Sequence, residues 1–443
     1  MANPAQRIWS AVTNVRLIAG NREMDFDAST VINDATAPRL DWRRMLPVFI
    51  SVSLYAASAA AVLPILPFYL KEMGGTPLVF GIVIATEALT QFVAGPLVGQ
   101  LSDQLGRKKI LLATQAAAFT SFLLLALAKA VFPLLLARML FGFTGGTFTA
   151  AAAYAADHSC PANRRQAIGI LNAAVGLGGI IGAGLSGYLS SVSLTIPIYA
   201  AIALSGTSLV VTAAWIRENH ATSHGVDAPP QNEISRDKVS FRSIISSPLI
   251  RVLVIVLLCY FFAYGMYGSQ IANYLQATLI SEGNSFGPRE LGYIMAADGA
   301  INIIVQLFLL QWLGRHFTER QLIVLICAIV IVGYMTVGFA ATLPVVVFAI
   351  LCVSVGDALA RPTFISALSL HAPRERQGIV LGTAQSLLAA TEAVSPILAG
   401  VLIGQALYGF WTGAIVAFVA IAAATAWTRL PPSDAEAEGQ ANS

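Results

Sequence analysis

The sequence predicts an all-α integral membrane protein with about twelve transmembrane helices, and three observations predict it. Charged residues make up only 11% of the chain and hydrophobic ones 56%, with a mean hydropathy of +0.72, whereas soluble chains carry about 25% charged residues. Apolar runs of roughly 20 residues recur along the chain, the length that crosses a hydrocarbon core of about 30 Å. The shorter alternating segments that a membrane β-barrel requires are absent.

The elements follow in order. Residues 1–45 form an N-terminal tail, in which Ile8, Trp9, Val12, Val15 and Ile18 beside Arg7 and Arg16 suit either a surface amphipathic helix or a partly disordered segment. Spans are expected near 46–70, 78–101, 109–128, 131–155, 166–190 and 194–216, an N-terminal bundle over 46–216. A polar linker, 217–247, contains His-Gly-Val-Asp-Ala-Pro-Pro-Gln-Asn-Glu and little that packs. The second bundle, 248–430, has spans near 248–279, 288–312, 320–340, 343–368, 377–402 and 405–428, and 431–443 is an acidic tail. Trp215, Trp312, Trp411 and Trp427 lie near span ends and read as interfacial anchors.

Orientation follows from the cations. With both termini and the linker cytoplasmic, only Lys71, Lys129 and Arg289 of the 26 basic residues face out, and Arg138 and Arg361 lie inside spans. This is the positive-inside asymmetry of a multi-pass cell-membrane protein. The halves also echo one another. Arg164-Arg165-Gln166-Ala167-Ile168 before span 5 matches Glu375-Arg376-Gln377-Gly378-Ile379 before span 11, and Leu105-Gly106-Arg107-Lys108 matches Leu313-Gly314-Arg315-His316. Matching order and topology indicate a duplicated six-helix unit, the construction of alternating-access carriers.

Several function classes are excluded. No Walker A sequence is present, and the five histidines and four cysteines show no metal-ligand or disulfide spacing. No cofactor, metal or nucleotide is implied, and topology rather than nucleic acid accounts for the basic loops.

Ionisable groups inside spans are expensive and mark functional positions. Glu87 lies in span 2, Asp298 in span 8, Asp357 in span 10 and Glu392 in span 11. Each is a candidate for proton coupling or for a static hydrogen bond between helices. Asn302 and Gln306 continue a polar stripe from Asp298, and Gln385 shares a face with Glu392. Asp357 and Arg361, at i and i+4, suit a pair on one face. Span 7 carries Tyr260, Tyr264, Tyr267 and Tyr274 at helical spacing, with Gln270 and Asn273 among them. Such rings suit either the lining of a cavity for an amphipathic organic molecule or packing against helices and lipid.

Gly99-Gln-Leu-Ser-Asp103-Gln-Leu-Gly106-Arg107-Lys108-Lys109 occupies the turn between spans 2 and 3. Glycines permit a tight turn, the aspartate caps or pairs, and the cations anchor the turn among anionic headgroups. The pattern resembles the loop signature of the major facilitator superfamily and, more narrowly, that of the twelve-helix drug/proton antiporters. Leu63-Pro64-Ile-Leu-Pro67, Ala94-Gly95-Pro96-Leu97-Val98-Gly99, Leu134 to Gly142 with Arg138 between them, and Asp157 followed by Arg164 and Arg165 extend the resemblance over residues 45–430. One departure stands in span 5, where Gly182-Ala183-Gly184-Leu185-Ser186-Gly187 has alanine where the antiporters carry proline.

The resemblance implies a fold of two pseudo-symmetric six-helix bundles, and a secondary transporter that moves a small organic substrate by alternating access. It implies proton-coupled export of drugs or metabolites, by a monomer surrounded by lipid in a bacterial inner membrane. The alternatives are a proton-coupled importer of a nutrient, siderophore-like compound or organic anion, and a non-transporting receptor or scaffold. Gly99, Asp103, Gly106, Arg107 and Lys108 would form a gate. Spans 1, 4, 7 and 10 would mainly line the cavity and spans 2, 5, 8 and 11 could also reach it, with Arg138 and Asp357 most exposed to the substrate and Arg361 available to an anion.

Overall fold

The computed structural model describes residues 42–160, 163–216, 247–281, 284–340, 342–372 and 377–430. The amphipathic stretch of the N-terminal tail, nearly all of the linker and the acidic tail lie outside them. Among the described residues, twelve helices are long and apolar enough to cross a membrane. In the first half these are α1 (Trp42–Val62), α2 (Pro77–Leu105), α3 (Arg107–Leu127), α4 (Val131–Asp157), α5 (Arg164–Ser190) and α6 (Ile196–Trp215). In the second half they are α7 (Pro248–Thr278), α8 (Pro288–His316), α9 (Glu319–Gly338), α10 (Leu343–His371), α11 (Gln377–Gly404) and α12 (Tyr408–Arg429). The one β element described is a minimal hairpin, Ile280–Ser281 against Asn284–Ser285.

Local sequence explains the interruptions. The first apolar run ends as a helix at Val62 and resumes as a short helix, Leu66–Glu72, because Pro64 has no N–H to continue the ladder. The turn between α2 and α3 is a single residue, Gly106, whose φ of 98° favours glycine. In α4, Phe143–Gly145 tightens into a 3₁₀ turn. Gly142, Gly145 and Gly146 there lie so close to Thr90, Gln91 and Val98 that a Cβ on any of them would collide with α2. This close approach brings Glu87 of α2 to Arg138 of α4.

The halves meet along two seams, α5 with α8 and α2 with α11. On the first, Gly187 abuts Gly292, and contact continues through Gly184 and Ala296 to Gly176 and Ile303. Just beyond Ile303, α8 opens into a π turn, Val305–Leu309. The glycines of α5 thus provide close packing without the proline: Gly178 and Gly182 meet backbone carbonyls of α1 on one face, while Gly176, Gly184 and Gly187 face α8. On the second seam the packing is reciprocal. Gly81 lies under the Pro396 carbonyl and Gly400 under the Pro77 carbonyl.

These contacts gather at the end of the bundle that bears the short helix and the hairpin, the sealed end. Gln270 Nε2 donates to the Pro77 carbonyl at 3.0 Å and Lys71 Nζ to Gln276 Oε1 at 2.9 Å, joining the halves there. At the opposite, splayed end, a Cβ on Gly95, Gly99 or Gly382 would meet nothing within 4 Å.

Trp411 departs from the anchor role expected of it. It is fully buried, its Nε1 donates to the Met266 carbonyl at 3.2 Å, and its ring packs against Tyr274 and Tyr267. Its position near a helix end is as expected, but α12 presents that face to α7 rather than to lipid. Trp215, Trp312 and Trp427 remain more than half exposed.

Candidate functional site

A chamber of about 420 Å³ lies between the halves below the sealed end. Its walls are mainly apolar and aromatic, with Phe80 and Ile84 from α2, Phe261 and Tyr267 from α7, Met295 from α8 and Ile350 from α10. A few polar groups converge on it: Glu87 and Gln91 from α2, Tyr264 from α7, Asp298 from α8, Ser354 from α10 and Glu392 from α11. An apolar cavity with a few placed polar groups is the usual form of a small-molecule site. Its glycines and prolines, Gly265, Gly268, Pro67 and Pro396, let helices approach without filling it.

The four intramembrane carboxylates divide into two kinds. Glu87 is bound by Arg138, whose Nη2 and Nε donate to Oε2 at 2.5 and 2.9 Å. The guanidinium also lies over the Phe141 ring, 4.6 Å from its centroid, and Phe141 stacks on Tyr55. Tyr55 in turn donates to the Thr144 carbonyl at 3.1 Å. Arg138 is 2% exposed, so the arginine expected on the substrate path is instead locked behind the chamber wall. The sequence shows both residues, but not that the Gly142–Gly146 constriction would bring them together.

Glu392 pairs with Arg361 at 3.3 Å, and both side chains are about half exposed. Arg361 therefore reaches across to α11 instead of back to Asp357, although i,i+4 spacing would allow the latter. Its guanidinium also extends over Phe261, 5.3 Å from the ring centroid. Asp298 and Asp357 have no cation in salt-bridge contact among the described residues. Asp298 lines the chamber together with Ser354, whereas Asp357 is not among its lining residues.

The tyrosine stripe of α7 splits the same way. Tyr264 and Tyr267 line the chamber. Tyr260 turns into the second half against Phe364 and Phe261, and Tyr274 donates to the Val337 carbonyl at 3.2 Å. Gln270 belongs to the seam, held toward Pro77 by Asn273, whose Nδ2 donates to Gln270 Oε1 at 2.8 Å. A four-turn stripe is too wide for a single wall, so a helix in a bundle divides it between neighbours. Sequence reasoning missed Gln91, although its i,i+4 relation to Glu87 was visible, and it missed the apolar lining, which nothing in composition separates from core.

At the splayed end Arg107 gathers the turn after α2. It pairs with Asp103, its Nε donates to Asp157 Oδ2 at 2.9 Å, and its Nη1 donates to Ser102 at 3.2 Å. Lys108 Nζ donates to the Ala213 carbonyl at 2.9 Å, satisfying the end of α6. The motif thus ties together helices of the first half, with no group within 4 Å of a Cβ at Gly99. In the second half the corresponding end carries a His371–Glu319 contact at 3.6 Å.

A model of the Major Facilitator Superfamily matches residues 48–391 and again 280–443. The chain belongs to that superfamily. It is 28% identical over 373 residues to the tetracycline resistance protein, class B, of Escherichia coli, covering 81% of this chain and 88% of the relative. It is 23% identical to the quinolone resistance protein NorA of Staphylococcus aureus (strain MRSA252), covering 81% and 90%. The solved D-xylose-proton symporter shares the fold with a TM-score of 0.69 at 15% identity, over 89% of this chain and 99% of that one. The protein is therefore a multi-pass membrane transporter of the major facilitator superfamily and not an enzyme.

Proposed function

We propose that this transporter exports amphipathic organic molecules from the cytoplasm in exchange for protons. The observation that carries the reading is the chamber: mainly apolar, enclosed at one end by the seams between the halves, and edged by carboxylates. The tetracycline and quinolone resistance for which its relatives are named supports export. The distribution of Lys and Arg supports a splayed end that faces the cytoplasm of a bacterial inner membrane, which suits loading of substrate from inside. The acting unit is a monomer surrounded by lipid.

Alternating access then needs the sealed end to open and the splayed end to close. Bound substrate and bound proton must favour different states, since a ligand shifts such an equilibrium only by its difference in affinity between them. Protonation of a carboxylate at mid-membrane supplies that difference. Glu87 and Glu392 already have guanidinium partners, which leaves Asp298 and Asp357 best placed to take up and release a proton. The pairing also weakens the anion-importer reading, because Arg138 and Arg361 both spend their charge on carboxylates.

The test is flux. In inside-out vesicles, tetracycline is expected to accumulate when the lumen is acid, and to stop accumulating when a protonophore collapses the gradient. Accumulation in right-side-out vesicles with acid outside would establish import. Binding without flux would establish a receptor.

A further inference from the structure

We infer that Lys71 selects substrates by charge as they leave, from a small polar antechamber between the chamber and the outside at the sealed end. The inference rests on the export reading above and names the step at which that route discriminates. Three cavities follow one another there. The chamber of about 420 Å³ shares Pro67 and Phe80 with a second cavity of about 130 Å³. The second shares Lys71 and Gln276 with a third, of about 660 Å³. A residue that lines two cavities stands between them. Phe80, 5% exposed, and Pro67 therefore divide the chamber from the antechamber. The hydrogen bond from Lys71 Nζ to Gln276 Oε1, at 2.9 Å, divides the antechamber from the outer vestibule.

The chemistry changes along this route. The chamber is mainly apolar, whereas the antechamber is lined by Thr76 before α2, Asn273 and Gln276 of α7 and Tyr408 of α12. Lys71 is the only charged side chain among the described residues that line it. Its hydrogen bond goes to a neutral amide, so no carboxylate cancels its charge there. Glu72, the next residue, lines the outer vestibule but not the antechamber. Sites that hold drug-sized molecules run to about 300–1,000 Å³. The antechamber is too small to be a resting place, and substrate crosses it in one step with both constrictions parted. That step passes Lys71 at close range, where a fixed positive charge opposes a cation and favours a negative group. A cation is thus attracted by Asp298 on the chamber wall and opposed at the exit. Because Lys71 does not line the chamber, it acts on release and not on loading.

Two measurements on the full-length protein test this. The first needs no substrate. Ala277→Cys places a thiol in the antechamber, to be labelled from outside with an anionic and a cationic methanethiosulfonate against the background of the native cysteines. Adding Lys71→Gln is expected to lower the anionic-to-cationic rate ratio about fourfold. Ile84→Cys, in the chamber beyond Phe80, is expected to react much more slowly from outside until Phe80→Ala removes the constriction. A ratio unmoved by Lys71→Gln, or a chamber thiol labelled as fast as the antechamber thiol, overturns the inference. The second measurement compares ethidium with tetracycline in proteoliposomes. Lys71→Gln is expected to raise ethidium turnover relative to tetracycline about fourfold, while Lys71→Arg keeps the wild-type ratio. Ethidium affinity should stay within about twofold, since loading is untouched. Gln276→Ala breaks the hydrogen bond but keeps the charge, so it should change both turnovers by the same factor. If it shifts the ratio as much as Lys71→Gln, the latch and not the charge discriminates, and the inference falls. If the wild type moves neither compound, the proposed export fails while the labelling ratio still decides whether Lys71 sets the charge preference of the passage.

Discussion

The two halves of the molecule handle charge differently. In the first half charges are neutralised at short range, inside the membrane by Arg138 buried against Glu87 at 2.5 Å and at the splayed-end turn by Arg107 joined to Asp103 and Asp157. In the second half Arg361 and Glu392 meet at 3.3 Å with both side chains about half exposed, and Asp298 and Asp357 have no cation in salt-bridge contact among the described residues. Two bundles with the same helix order thus divide the work. A paired charge is a fixed part of a helix interface, whereas an unpaired carboxyl keeps the option of changing its protonation state. The first half reads as the frame and the second as the responsive body.

The strongest way to break that comparison is to remove one arginine from each half. Arg138→Ala leaves Glu87 on the chamber wall without the partner buried behind it. Breaking a buried pair in this way costs about 3–5 kcal/mol, because the remaining charge is stranded. Thermal unfolding in detergent and monodisperse yield should both fall sharply, and the double variant Glu87→Leu with Arg138→Met should recover most of the loss. If Arg138→Ala is as well tolerated as Arg361→Ala, the first half is not the rigid frame described above.

A second test addresses the cluster at the splayed end. Asp103→Asn and Arg107→Ala should slow tetracycline transport about tenfold, equivalent to about 1.4 kcal/mol on the limiting step, with membrane insertion unchanged. Arg107 makes three side-chain contacts within its own half in the present state, and these must be kept or remade when this end closes. Transport at the normal rate in both variants would reduce the motif to a turn.

How much of this was legible in the sequence depends on the range of the interaction. The twelve helices were legible because scarcity of charge and run length are local properties, and the break at Pro64 is the local effect of a missing N–H. The intramembrane carboxylates were legible as a set because each is conspicuous in an apolar run. Their partners were not. Glu87 and Arg138 are 51 positions apart, and Arg361 and Glu392 are 31 apart, so pairing depends on how helices pack. The i,i+4 rule pointed Arg361 to Asp357, but its salt bridge is made to Glu392 of α11. Trp411 failed in the same way, since a position near a span end does not tell which neighbour a face meets.

A third test uses the seams. Valine at Gly81 or Gly400 must push against the Pro396 or Pro77 carbonyl, backbone atoms that cannot rotate aside. Either substitution should favour the state opened at the sealed end, while Gly95→Val, facing free space, leaves the equilibrium near its starting point. Spin-label distances between the halves at the sealed end would show a population shift of about tenfold for roughly 1.4 kcal/mol of wedge energy. Equal behaviour of Gly81→Val and Gly95→Val would mean that the seam is already loose.

The smallest expected effect belongs to Arg361→Gln, and it sharpens the comparison from the other side. An ion pair with both members about half in water contributes about 0–1 kcal/mol, so stability should barely change. The effect should appear in charge preference instead. Removing the guanidinium takes a cation from above Phe261, a chamber-lining ring, and leaves Glu392 as an uncompensated negative charge on the same wall. A permanently cationic probe such as ethidium should then bind up to a few-fold more tightly and an anionic dye correspondingly more weakly. The difference should shrink as salt is raised from 0.01 to 1 M, where the screening length falls from about 30 to about 3 Å. Glu392→Gln should reverse the sign, because Arg361 would then be the uncompensated charge. A change of the same sign in both variants would show that the pair acts by shape, and the second half's half-exposed charges would then be as structural as those of the first.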